Sequence, residues 1–308
     1  GPGLLDTASL VSQLNGLSAS AVGQQAEPVQ VGQVIPTQGP IVGGVRVMIT
    51  GRGFHPNLDV YFGDVRAGHV SVEPSSITCI LPPTRNTGVV PIHILDRATM
   101  YEVGGGGQPP LFTYIEDTDQ ALIDLGAQAV GLRGQDGTDV SGLLPPEVEA
   151  ALQTMYTASG KEKLKLIESS LVDLINIQVG QGRVDASQLR LRHESTGRRL
   201  VHFAALLGMY NLMVTLTRYG CNLDDQDHND MTALHFSCMF ERFAVIELLL
   251  RAGAAHTLRS YTGQSAADML RDAGLTDMLV LIEERVGYLS FIRDDQADDA
   301  GEADGVPR

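Results

Sequence analysis

The sequence predicts a multidomain β-plus-α protein: a β-sandwich, then a helical connector, then a short stack of helical repeats. Three observations predict it. Between Val34 and Tyr114, apolar residues alternate with a period of two in short runs broken by Gly, Pro and Asn. From residue 197 the chain repeats at a spacing of 33 residues. Gly197, Asp230 and Gly263 hold one position of that register, His202, His235 and Asp268 the next, and Gly208, Glu241 and Gly274 a third. Between the two, apolar residues recur at helical spacing.

The leader, residues 1–32, is rich in Ser, Ala, Gln and Gly and reads as disordered, although Leu4, Val11, Leu14 and Leu17 can line a short helix. Gly1-Pro2 has the form of a protease-cleavage scar, so a longer natural protein is expected. In residues 33–116, Val45, Val47 and Ile49 alternate with Arg46 and Met48. Leu58, Val60 and Phe62 alternate with Asp59 and Tyr61, and Val90, Ile92 and Ile94 with Pro91 and His93. Such strands bury one face and show the other, which is the pattern of a two-sheet sandwich. Gly43-Gly44, Gly51, Gly53 and Gly63-Asp64 mark the turns.

Residues 117–195 form the connector. A helix opens at Thr118 with Asp117 or Thr118 as cap, and Leu122, Leu125, Ala129 and Leu132 lie on one face. Residues 133–142 read as a Gly- and Asp-rich loop. Pro145-Pro146 opens a second helix over 146–158. A third, over 161–178, turns Leu164, Ile167, Leu171, Leu174 and Ile175 inward. End units of solenoids depart from their consensus, so these helices are candidates for a degenerate cap.

A 33-residue unit made of a turn and two helices is the ankyrin pattern, and residues 196–290 follow it. The second unit, Asp230-Met-Thr232-Ala-Leu234-His235, closely resembles the ankyrin T-P-L-H core, with Ala233 in place of Pro. Thr232, His235 and, one unit earlier, His202 are expected to bridge turn backbone groups. They are read as structural turn residues, not as metal ligands or bases. Partner contacts are expected on the polar fingers Asp224–Asp230 and His256–Tyr261, with Asp225, Asp227, His228, Asn229, Arg259 and Tyr261 as the named candidates. Residues 291–308 read as an acidic, disordered tail.

The chain has a net charge of −15 over 308 residues. Residues 31–116 hold five Lys and Arg against six Asp and Glu, and residues 117–308 hold 17 against 29. No segment has the basic excess that neutralises phosphates, so nucleic-acid contact is expected to be weak or indirect. Cys79, Cys221 and Cys238 are far apart, form no C-x-x-C pair, and fit a reducing compartment. Gly104–Gly107 lacks the Lys-Ser/Thr of a phosphate loop, and neither H-E-x-x-H nor G-x-S-x-G occurs. No catalytic, cofactor-binding or metal-ligating residue is assigned.

The sandwich has a nameable likeness. Ile35-Pro36, Gly39-Pro40, Gly43-Gly44, Val47, Ile49, Gly51, Gly53-Phe54, then Val60-Tyr-Phe62-Gly63 and Ile80-Leu-Pro-Pro83, strongly resemble a TIG (IPT) domain. That is an immunoglobulin-like fold, and the resemblance covers residues 33–115. TIG followed by ankyrin repeats is similar to two families. One is the fungal membrane-tethered transcription activators that control fatty-acid desaturase expression, favoured by the stretch Phe112–Leu125. The other, more distant, is the calmodulin-binding transcription activators. Ile177-Gln178 is followed by Gly180 and Gly182, which break the helix that calmodulin would grasp. A P-P-x-Y ligase-recruiting motif is missing, because Phe112 follows Pro109-Pro110-Leu111.

The fungal resemblance implies a precursor in the endoplasmic reticulum or nuclear membrane, anchored by a segment outside this chain. It implies release to the nucleus by the ubiquitin–proteasome system. It also implies a TIG homodimer, for which Met48, Tyr61 and His93 are the outward-pointing candidates. Ankyrin partners would come from the ubiquitin–proteasome or transcription machinery. The rival readings are direct DNA contact by the TIG domain and a cytosolic ankyrin scaffold unrelated to transcription.

Overall fold

The structure is a computed structural model that describes residues 28–103, 108–132 and 146–275, with Met278 and Val280 beyond them. Most of the leader, the Gly104–Gly107 loop, the 133–142 loop and the acidic tail lie outside the described residues.

The N-terminal half is a sandwich of two sheets. One sheet has the order β1 (Gln30–Ile35), β3 (Arg46–Arg52), β7 (Ser76–Ile80) and β6 (Gly68–Glu73). The other runs β2 (Gln38–Pro40), β9 (Leu111–Ile115), β8 (Gly88–Asp96), β4 (Leu58–Phe62) and β5 (Val65–Arg66). Every pairing is antiparallel except β2 with β9. β1 starts at Gln30, inside the segment read as leader.

The period-two alternation sorts residues as expected. Val47, Ile49, Leu58, Val60, Phe62, Ile77, Ile92, Ile94 and Phe112 are buried between the sheets. Each such side chain contributes about 1.5–3 kcal/mol by leaving water. Phe62 meets Phe112 edge-on at 5.0 Å, and the buried Tyr114 donates its hydroxyl to the Pro82 carbonyl at 3.0 Å. Gly43 and Gly44 turn the chain from β2 towards β3 with φ of 65° and 84°. A Cβ on Gly43 would sit 2.4 Å from the Leu81 carbonyl oxygen. That turn is therefore closed to any residue with a side chain.

The helices are α1 (Thr118–Ala129), α2 (Pro146–Thr157), α3 (Lys163–Gly180), α4 (Leu200–Leu207), α5 (Tyr210–Arg218), α6 (Ala233–Met239), α7 (Phe243–Ala252) and α8 (Ala266–Asp272). Pairs α4–α5 and α6–α7 are the two helix pairs of successive repeats, and α8 opens a third. The connector packs on this stack. α1 lies beside α4, and α3 beside α5, so the two occupy the inner and outer places of one further unit. Gly126 of α1 lets Leu171 of α3 approach so closely that a Cβ would lie 2.7 Å from its Cδ1. Gln178 of α3 donates to the Val130 carbonyl at 3.3 Å. The connector helices α1 and α3 thus pack on the first repeat as a further helix pair, with α2 between them in sequence.

Two local expectations change. Leu164 is exposed rather than inward. It sits in the first turn of α3, and α5 begins only level with Glu168, whose carboxylate accepts from the backbone N–H of Asn211 (2.7 Å) and Leu212 (3.2 Å). Neither Asp117 nor Thr118 caps α1 through its side chain. Glu116 does that work, accepting from the Thr118 N–H at 3.1 Å.

Candidate interaction surfaces and the joint between sandwich and repeats

The recurring landmarks at 202, 235 and 268 are the third residues of the inner helices, and each ties its helix start back to the preceding turn. The Thr232 N–H donates to Nδ1 of His235 at 3.1 Å, while the His235 N–H reaches Thr232 Oγ1 at 3.4 Å. In the third unit the Asp268 carboxylate accepts from the Ser265 N–H at 3.1 Å, and the Asp268 N–H donates to Ser265 Oγ at 3.2 Å. Reciprocal capping of this kind satisfies donors that a helix start leaves open. In the first unit the Arg199 N–H donates to Nδ1 of His202 at 3.0 Å, but Arg199 has no side-chain oxygen to complete the exchange.

Both imidazoles also reach the next finger. Nε2 of His202 donates to the Asp225 carbonyl at 2.9 Å, and Nε2 of His235 to the Gln264 carbonyl at 3.2 Å. Accepting at Nδ1 and donating at Nε2 requires the neutral ring. Burial pushes both imidazoles below the ordinary histidine value. The hydroxyl of Ser265 is the first cause holding the Asp268 carboxyl down, at about 2.

The finger Asp224–Asp230 faces the chain's own sandwich. Asn229, fully buried, donates from Nδ2 to the Leu81 carbonyl at 3.0 Å, and its own carbonyl accepts from the Tyr261 N–H at 3.0 Å. His228 places Nδ1 3.2 Å from the Gly44 carbonyl oxygen. Asp227 is buried, and its Oδ1 accepts from the N–H groups of Asn229 (2.8 Å) and Met231 (3.0 Å). At the rim, His69 pairs with Asp230 at 2.9 Å and Arg85 with Glu241 at 3.1 Å.

Arg198 stands at the centre of this joint, with 1% of its surface exposed. One guanidinium nitrogen donates to the Val42 carbonyl in the sandwich and lies 3.1 Å from Asp227 Oδ2 in the finger. Its guanidinium carbon lies over the Phe236 ring, 4.9 Å from the ring centre. Burial pushes the guanidinium below its ordinary value, and Asp227 works against that. Thr196 and Arg198 also crowd Gly44, where a Cβ would lie 3.0 Å from the Arg198 guanidinium.

This placement corrects part of the expected partner set. Asp227 and Asn229 are buried, Asn229 against the sandwich and Asp227 against Arg198 and its own finger, which leaves them little surface to offer another protein. His228 and Tyr261 are half-buried at the same joint; a Cβ on Gly68 of β6 would lie 3.2 Å from the Tyr261 ring. Asp225 is held by Arg199 at 2.8 Å. Arg259 stays exposed. The strong signal missed in the sequence is Arg198. It lies next to Arg199, which takes the place in the register where the later units have Thr232 and Ser265.

The outward candidates on the sandwich also divide. Tyr61 and His93 are register partners on β4 and β8, whereas Met48 lies on β3 in the other sheet. The three therefore cannot share one face. The outer surface around Tyr61 and His93 includes Val89 and Leu111, exposed by 61% and 60%. Its polar groups contact one another within the face. His93 lies 2.8 Å from Glu102, and Asp59 lies 2.9 Å from Arg66 and 2.8 Å from Arg97. Burial works upward on the Asp59 carboxyl, but hydrogen bonds from Arg66 and Arg97 hold it below the ordinary range.

Comparison with known proteins follows these domains. The IPT/TIG domain family model matches residues 29–114, and the model for ankyrin repeats (many copies) matches residues 201–250. An ankyrin and IPT/TIG repeat-containing protein of Schizosaccharomyces pombe is 26% identical over 281 residues, covering 78% of this chain and 24% of that protein. Protein MGA2 of Saccharomyces cerevisiae is 29% identical over 276 residues, with the same two coverages of 78% and 24%. The chain is similar to these two fungal proteins over most of its length. Protein SPT23 of the same yeast matches at 27% over 230 residues, covering 63% of this chain and 21% of that protein. The TIG–ankyrin chain therefore spans about a quarter of the length of the curated relatives it matches. Among the described residues no helix is long and apolar enough to cross a membrane, and no group of three or more His, Cys, Asp or Glu is placed to hold a metal ion.

Proposed function

We propose that this chain is the non-enzymatic core of a fungal-type transcription activator, released to the nucleus from a membrane-bound precursor and controlling unsaturated fatty-acid genes. The observation that carries the reading is the continuous similarity to the fungal proteins, which runs through sandwich, connector and repeats in one order. In this reading the membrane and activation segments lie outside this chain, and processing is carried out by the ubiquitin–proteasome system. The repeats and sandwich offer contacts rather than chemistry. The acidic balance makes any DNA contact an assisted one.

Within this reading the TIG domain pairs two copies through the outer face carrying Tyr61, His93, Val89 and Leu111. That face exposes the apolar Val89 and Leu111, and its two carboxylates, Asp59 and Glu102, are matched in number by two guanidinium groups, Arg66 and Arg97, on a chain of net charge −15, so two copies meet there over a locally balanced patch. Arg259, exposed but bonded to the Gly263 carbonyl and 3.7 Å from Asp268, is the remaining named candidate at the repeats for a protein partner.

Two experiments test these parts separately. Desaturase transcripts are measured in cells lacking the gene and in cells given it back. The reading expects transcripts to fall on deletion and recover on return, and unchanged transcripts overturn it. Sedimentation equilibrium at tens of micromolar is expected to show a dimer for the chain and a monomer for Leu111→Glu. A strict monomer for the unaltered chain removes the pairing.

A further inference from the structure

We propose that the joint around Arg198 makes sandwich and repeats one cooperative unit, so that the end of the sandwich formed by residues 41–44 and 81–83 is a permanent internal interface. The finger of the repeats acts as a built-in ligand for that end. Three observations of different kinds support this.

The contacts are to backbone. Val42, Gly44 and Leu81 each give a carbonyl to a repeat side chain, from Arg198, His228 and Asn229 respectively. These carbonyls lie at turns, outside the strand ladders, and an open joint would return the buried partners to water without equal replacements inside the protein.

The groups are deeply buried. Arg198, Asp227 and Asn229 are exposed by 1%, 5% and 0%. Asp227 Oδ2 at 3.1 Å and the Phe236 ring at 4.9 Å are the groups that face the Arg198 charge. Such a charge is tolerated only while its surroundings stay assembled.

The sandwich is shaped for its guest. Gly44 leaves room for Arg198 and Thr196, and Gly68 leaves room for Asn229 and Tyr261: a Cβ on Gly68 would lie 2.9 Å from Asn229 Oδ1. Within the repeats, Gly197 leaves room for the His228 ring, which a Cβ would meet at 2.5 Å, and that ring in turn reaches Gly44. Two sandwich glycines that clear space for repeat side chains are more than a loose encounter of two independent domains needs.

The consequence concerns recognition. Loops at this end of the sandwich cannot meet nucleic acid or a protein while the chain is folded, and recognition is left to the outer sheet face and the far repeats.

The test uses the full chain. Urea unfolding is followed by hydrogen-exchange mass spectrometry, reading peptides from β3 and β7 separately from peptides of α4 and α6. The unaltered chain is expected to lose protection in both sets at one common midpoint, and Asn229→Ala is expected to lower both midpoints together. Should Asn229→Ala fail to fold, the rim variant Arg85→Ala with Glu241→Ala serves, with a smaller common shift expected. Two separate midpoints in the unaltered chain, or a shift confined to the repeat peptides, overturn the proposal.

Discussion

Asn229 donates its side-chain N–H to the carbonyl of Leu81 across 148 positions of chain, at 3.0 Å and out of reach of solvent. The Leu81 oxygen also accepts from the Gly44 N–H at 2.8 Å, so one carbonyl closes a turn of the sandwich and receives the finger of the repeats. Replacing Asn229 by Ala removes a buried bond while sparing the turn. Global stability is expected to fall by about 1–3 kcal/mol in urea titration.

Arg198→Met is expected to cost more, about 3–5 kcal/mol, because it strands the buried Asp227 carboxylate and the Val42 carbonyl together. The check is the same titration. A loss below about 1 kcal/mol, the range of exposed pairs, would mean that Asp227 finds water in the folded protein.

Acid sensitivity between pH 7 and 5 is expected from His202 and His235. Both fall below the ordinary value of 6.5 in the folded protein. The unfolded chain therefore binds protons first, so stability is full above 6.5 and drops as pH falls below it. Asp268 acts lower: its contribution is complete above 3.8 and is lost as pH falls through about 2. Thermal midpoints at pH 7 and 5 are expected to differ for the unaltered chain, and the difference to shrink in His202→Gln with His235→Gln.

Gly43→Ala and Gly274→Ala separate backbone strain from collision. Both glycines have positive φ, 65° and 70°, but only a Cβ on Gly43 meets the Leu81 carbonyl. Gly274→Ala is expected to cost about 1–2 kcal/mol, the left-handed penalty alone. Gly43→Ala is expected to exceed it clearly, as read from midpoints of chemical unfolding.

Glu168→Ala tests the cap unit. Its carboxylate serves two open N–H groups at the start of α5, so the loss is expected at about 1 kcal/mol, with faster amide exchange at Asn211 and Leu212.

Much of this architecture is legible in the sequence because it repeats. Alternation around Val47, Val60 and Ile92 places the sandwich core, and the register of His202, His235 and Asp268 finds three helix starts. The cap unit is obscured because its insertion breaks the register. Only Gly208 and Met209 separate α4 from α5, whereas α1 ends at Ala129 and α3 starts at Lys163. The joint is hidden for a different reason. Its acceptors are turn carbonyls, which every residue has, so nothing at Val42 or Leu81 announces a partner 156 or 148 positions away. Polar finger residues such as Asp227 and Asn229 therefore read as free although both are buried in the joint.

Amide exchange at the joint, resolved residue by residue, tests the shared unit most directly. The Gly44 N–H bonds Leu81 on the sandwich side, and the His228 N–H bonds Thr196 on the repeat side. In the full chain the two are expected to exchange through one common opening, equally slow and equally accelerated by low urea. Fast exchange at His228 beside a protected Gly44 would show the repeats leaving the sandwich on their own, and would contradict the account.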